Sequence, residues 1–127
     1  MDWYIIFFYL ALSFFTMHEM DAVRCKKWRI FPRLSSLSDK WGYFVFIIAH
    51  IPIFFFIYNA LVTPELKHSC IPYFNGFLIF HTLLHVLYLK HQKNLFKDWV
   101  SWVLIVGAGL SGIFSLYNGY IISLTRF

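Results

Sequence analysis

The chain has 127 residues and a net charge of +5, with 60% hydrophobic and only 13% charged residues, against roughly 45–50% apolar and about 25% charged in an ordinary soluble domain. This composition, with its apolar residues gathered into blocks at 3–17, 41–62, 71–89 and 99–124, excludes a soluble globular domain. It points to an all-α polytopic membrane protein, a four-transmembrane-helix bundle forming a single integral membrane domain over residues 1–127. The excess of Lys and Arg does not call for nucleic acid, because those residues flank the blocks, where anionic membrane lipid is the nearest partner.

The first block reaches the roughly 20 residues of a membrane-crossing helix only if it runs on through His18, Glu19 and Asp21 to about Val23. A secretory signal needs basic residues before the apolar run and a small-residue cleavage site after it. Here Asp2 precedes the run and Thr16-Met17-His18-Glu19 follows it, so residues 3–23 are expected to be a retained first span. The loop at 24–40 carries Arg24, Lys26, Lys27, Arg29, Arg33 and Lys40 among Trp28, Ile30, Phe31 and Leu34, which suits a segment lying along the headgroup layer.

The second and third spans are expected at 41–62 and 71–89. Runs such as 44–48 and 53–57 do not alternate in polarity, which argues against a membrane barrel. The loop at 90–98 carries Lys90, Lys93 and Lys97, and the fourth span follows at 99–124. Lys67 is the only basic residue in the second loop and Arg126 the only one after the fourth span. Because Lys and Arg are retained on the cytoplasmic side, the first and third loops are expected inside and both termini outside. That rule suits a bacterial inner membrane. It also puts Cys25 and Cys70 on opposite sides, out of reach of one another. Trp3, Trp28, Trp41, Trp99 and Trp102 fall at or near span ends, where amphipathic rings mark depth.

The fourth span contains Gly107-Ala108-Gly109-Leu110-Ser111-Gly112, a letter-for-letter match to the GxGxxG dinucleotide fingerprint. That fingerprint works where a strand turns into a helix, with an acidic residue about 20 positions on. Nothing acidic lies beyond Gly112, so no nucleotide is expected and the small residues are read as a helix-packing surface, including a homo-oligomer contact through the fourth span.

The histidines carry the chemistry. His81 and His85, four apart, leave one helix face at a spacing that lets two imidazoles share a metal ion. His50 lies mid-span, two residues before Pro52, and His18 is three residues before Asp21 on the first span. Counted inward from Lys90, His85 lies ~8 Å deep and His81 ~14 Å; His50 lies ~15 Å from Lys40, and His18 roughly 9 Å from Arg24. Polar groups of three helices thus reach the inner half of the membrane, where they are costly and mark sites or pathways. Glu19 and Asp21 have a second reading, as partners of Arg24 or Lys27 at the headgroups. His68 and His91 are read as solvated loop residues.

His18-Glu19-Met20-Asp21-Ala22 followed by Trp28-Arg29 resembles a segment of small bacterial membrane proteins grouped as a domain of unknown function, although Lys27 stands where that pattern has an acidic residue. The resemblance implies a four-helix membrane fold and no activity. A histidine, an acid and an HxxxH pair on different spans also look like the zinc site of the alkaline ceramidase and adiponectin receptor superfamily, an analogy of site chemistry only.

From these residues three functions stay open. The first is a metal site with His50, His81 and His85 as preferred ligands and His18 as a further candidate, holding zinc, or iron or manganese, with Glu19 or Asp21 as general base for hydrolysis of a membrane-embedded substrate. The second is proton- or cation-linked transport through the same groups. The third is a structural or regulatory membrane subunit.

Overall fold

The structure, a computed structural model, describes residues 2–125; Arg126, counted above beyond the fourth span, lies outside them. It contains α1 (Trp3–Arg24), a short 3-10 turn (Lys27–Ile30), α2 (Asp39–Val62), α3 (Pro64–Leu87) and α4 (Trp99–Thr125). All four α-helices are long and apolar enough to cross a membrane. The chain is a multi-pass membrane protein by that measure. Three spans fall close to their expected limits, but α3 starts at Pro64 rather than 71 and leaves Thr63 alone between α2 and α3. Pro64 occupies the first helical turn, where its missing N–H costs nothing, and the Glu65 carboxylate beside it suits the positive helix end. Residues 65–69, read from the sequence as loop, are the largely exposed first turns of that helix.

The helices form an antiparallel bundle with α4 as its centre. Both α1 and α3 pack most extensively on α4, whereas α1 and α3 share only a narrow contact and α2 lies chiefly along α3. The most apolar helix, α2, buries only Gly42, Phe46 and Ile57. A helix apolar all round and covered on one edge faces lipid with the rest.

Close approach explains the glycines of α4. A Cβ on Gly107 would stand 2.8 Å from the Phe14 ring of α1, and one on Gly109 would stand 2.5 Å from Thr82 Oγ1 of α3. Residues 107–112 lie inside one uninterrupted helix whose small side is filled by α1 and α3 of the same chain. Val103, Leu110 and Tyr117, on the opposite face of α4, are exposed.

The first loop departs from the headgroup reading. Trp28 is 3% exposed and packs on Phe46 and Tyr43, its ring filling the space that a Cβ on Gly42 would occupy. The missing side chain on α2 is the slot that admits the indole. This anchors the 3-10 turn under the end of the bundle where α1 finishes and α2 begins. Ala22, Cys25, Phe46, Phe96 and Ile105 complete that apolar cluster, and a second one of Ala11, Phe15, Leu78 and Ala108 fills the middle.

Candidate metal centre

On α1, His18 and Glu19 are neighbours and therefore leave the helix about 100° apart. His18 turns toward α3, where HxxxH spacing stacks His81 over His85. The ring centroids of His18 lie 5.0 Å from His81 and 4.9 Å from His85, and those two lie 4.6 Å apart. One ring nitrogen from each residue falls within 4.8 Å of the others, and all three residues are buried. An ion centred in such a triangle is at most about 2.8 Å from each nitrogen, against roughly 2.0–2.1 Å for a zinc–imidazole bond, so shifts under about 1 Å complete the set.

The polar accounting singles out His18. It is 1% exposed, and neither Nδ1 nor Nε2 has a hydrogen-bond partner. An imidazole buried without partners forfeits the full desolvation of both nitrogens, about 1–3 kcal/mol per group, unless something binds there.

His50 is placed elsewhere. Its Nε2 lies 2.9 Å from Glu19 Oε2, and its Nδ1 lies 2.6 Å from the Phe46 carbonyl oxygen. Glu19 stands between α2 and the three histidines, and its other oxygen, Oε1, accepts from Lys27 Nζ at 3.4 Å. Lys27 in turn donates to His81 Nε2 at 3.2 Å. The sequence reading grouped His50 with His81 by depth. Depth along a helix does not set the direction in which a side chain leaves it, and His50 faces α1 on the Glu19 side.

Asp21 has a different role. Arg24 Nε donates to its Oδ1 at 2.7 Å and the Ser101 hydroxyl donates to its Oδ2, while Arg24 Nη2 reaches Asp98 Oδ2 at 2.6 Å. Asp98 caps α4 by accepting from the Ser101 amide at 2.8 Å, and that amide, followed by Arg24, holds the Asp98 carboxyl below the usual carboxylate range. These bonds fasten the C-terminal end of α1 to the start of α4 and engage both oxygens of Asp21.

Two residues at the centre were not singled out from the sequence. Lys27 was read as a loop charge and as a headgroup partner for Glu19 or Asp21; its side chain is 16% exposed and reaches Glu19, as that reading has it, and also His81. Phe96 is fully buried against His18 and His85. Asn94 Oδ1 accepts from the Phe96 amide, and Trp102 Nε1 donates to its carbonyl, so the third loop holds this ring over the histidine pair. A signal existed for Phe96, since Leu95-Phe96 interrupts an otherwise polar basic loop. For Lys27 the signal was its charge near the α1 carboxylates, which gave the pair with Glu19 but not the contact with His81.

The model of a family of unknown function, DUF6713, matches residues 4–121, nearly the whole chain. The chain belongs to that family. The matched residues include every residue of the histidine cluster. No curated protein and no solved structure matches the chain.

Proposed function

We propose that this membrane protein is a metalloenzyme whose His18, His81 and His85 hold a transition metal, zinc foremost, and whose reaction is hydrolysis of a membrane-embedded substrate. The observation that carries the reading is the convergence of three buried imidazoles, one of them without any hydrogen-bond partner. Three histidines with an open fourth position are the ligand pattern of catalytic zinc, and a histidine and carboxylate environment suits iron or manganese as well. An ion there supplies Lewis acidity and an acidified water.

The remaining steps belong to the chain. Lys27 can only donate, to Glu19 Oε1 and to His81 Nε2; were a metal held by His18, His81 and His85, the ammonium would stay on Glu19. Glu19 accepts the proton of the attacking water, and His50 beside Oε2 orients the carboxylate. Phe96 excludes bulk water from the loop side. Transport is the weaker reading. The buried Phe8, Phe15 and Leu78 lie between this cluster and the Asn75–Ser115 pair in the other half of the bundle.

The test is elemental analysis of protein extracted in mild detergent without chelator, expected to yield close to one equivalent of a transition metal. Folded wild type that remains metal-free after incubation with zinc, iron and manganese overturns the reading in favour of a structural or regulatory role. Glu19→Gln separates ligand from base: metal stays, while lipid hydrolysis, followed by mass spectrometry of products released from total membrane lipid, falls by roughly 10²–10⁴-fold.

We also propose the orientation with the loops at 24–40 and 90–98 in the cytoplasm of a bacterial inner membrane, on the strength of nine Lys and Arg residues in those two loops. Periplasmic-type reporters fused after Leu66 are expected to be active and those after Arg33 and Lys93 inactive. An active fusion after Arg33 reverses the assignment.

A further inference from the structure

Between α2 and the α1–α3 face runs a groove of about 370 Å³ that reaches the candidate centre. Its walls are apolar, with Ile53, Phe74 and Phe77 to one side and Phe31 and Leu34 of the first loop to the other, and its polar groups are Glu19, Lys27, His50 and His81. Because α2 covers so little of itself against the bundle, the groove lies beside a helix whose other faces are turned to lipid. At this depth the surrounding medium is hydrocarbon chain.

We propose that the groove receives a single acyl chain from the bilayer and that the carbonyl end of that chain, as free carboxylate or ester, is held by Lys27. This rests on the metal-centre reading for its chemistry and on the groove and Lys27 for its binding. The shape fits a linear amphiphile with one polar end, since an apolar slot with a few convergent polar groups fixes both orientation and specificity. A phosphate headgroup is a poor fit, because it would have to leave the interface for a level near His81, ~14 Å below Lys90 by residue count.

Lys27 is equipped for the carbonyl. Its ammonium has three donors but only two partners here, at 3.4 Å to Glu19 and 3.2 Å to His81, both longer than the roughly 2.7–2.9 Å of a strong charge-assisted bond. Glu19 also shares its charge with His50 at 2.9 Å. The ammonium is therefore incompletely satisfied by the protein and can take a carbonyl or carboxylate oxygen. In the ester form this contact also faces the oxygen on which charge develops during hydrolysis, the position where a fixed donor contributes most.

The experiment uses the full chain in phosphatidylcholine vesicles and three photoreactive probes of equal chain length: a diazirine fatty acid, its methyl ester and the corresponding alcohol. The acid and the ester are expected to label peptides of α2 and α3, and the alcohol at least tenfold less. Ala49→Trp, which fills the groove from an exposed position on α2, should cut labelling at least tenfold while leaving metal content unchanged. Lys27→Met should abolish the preference over the alcohol and Lys27→Arg should restore it. Loss of the acid alone in Lys27→Met assigns a free fatty acid, and loss of both assigns the ester carbonyl as well. Equal labelling by the alcohol, or full labelling of Ala49→Trp, overturns the proposal. Metal content measured on the same samples keeps the two readings apart: labelling without metal removes the metalloenzyme and leaves the acyl site, whereas metal without labelling does the reverse.

Discussion

On the proposed metal-centre reading, His18→Ala is expected to abolish metal binding, and His50→Ala is not. His18 sits at the apex of the cluster, with both neighbours' rings at 4.9–5.0 Å and no alternative partner for either nitrogen. Removing it leaves two imidazoles on one helix, and nothing among the described residues nearby can replace the third. Loss of a residue that merely orients a ligand typically costs 10–100-fold in metal affinity, so loss of a ligand should exceed roughly 100-fold. His81→Ala and His85→Ala should match it. His50 contacts Glu19 rather than the other histidines, so His50→Ala should leave occupancy intact and impair turnover instead. Elemental analysis after gel filtration in detergent decides the matter. Retention of metal by His18→Ala together with its loss from His50→Ala would restore the set His50, His81 and His85.

Gly109→Leu should empty the same site from a distance. His18 belongs to α1 and His81 and His85 to α3, yet these helices touch each other only narrowly and are aligned through α4. Gly109 faces α3 without room for a side chain, with Thr82 Oγ1 2.5 Å from where a Cβ would stand and donating to the Ile105 carbonyl at 3.0 Å. A leucine there must push α3 outward, at a cost of about 1–3 kcal/mol for overpacking. Because ligand positions tolerate only about an ångström of error, that displacement should weaken metal binding tenfold or more and lower the thermal midpoint in detergent. Leu110→Phe is the matched control, since Leu110 is 50% exposed on the outer face of α4. It should change stability by no more than about 0.5 kcal/mol and leave the metal in place. Equal metal affinity in both variants would show that α4 does not set the register of the site.

Much of this architecture was legible in the chain itself. Apolar blocks of span length state the number of helices directly, because a bilayer of fixed thickness demands a fixed length of helix. The intramembrane histidines stood out for a related reason: in hydrocarbon a polar side chain needs a purpose. The HxxxH pair was readable from helical periodicity alone, since four residues return to the same face whatever surrounds the helix.

Which other side chains meet that pair was a tertiary decision. Depth counting placed His50 beside His81 because it measures position along an axis, and it has no access to the rotation of one helix against another. That rotation is set by packing: the glycine face of α4 seats α1 and α3, and this turns His18 toward the pair and Glu19 toward α2. The same holds for Asp21 and Glu19, which look equivalent in the sequence but are separated by about 200° around α1. One is spent on Ser101 and Arg24, and the other stands at the centre. Lys27 belonged to a run of basic residues expected at the headgroups, and only the slot that Gly42 leaves for Trp28 draws its loop inward far enough to reach His81. The sequence by itself thus determined the spans and the inventory of polar groups within them, because both follow from the solvent. The partnerships among those groups came from the shapes of the helix faces, which exist only once the helices are packed.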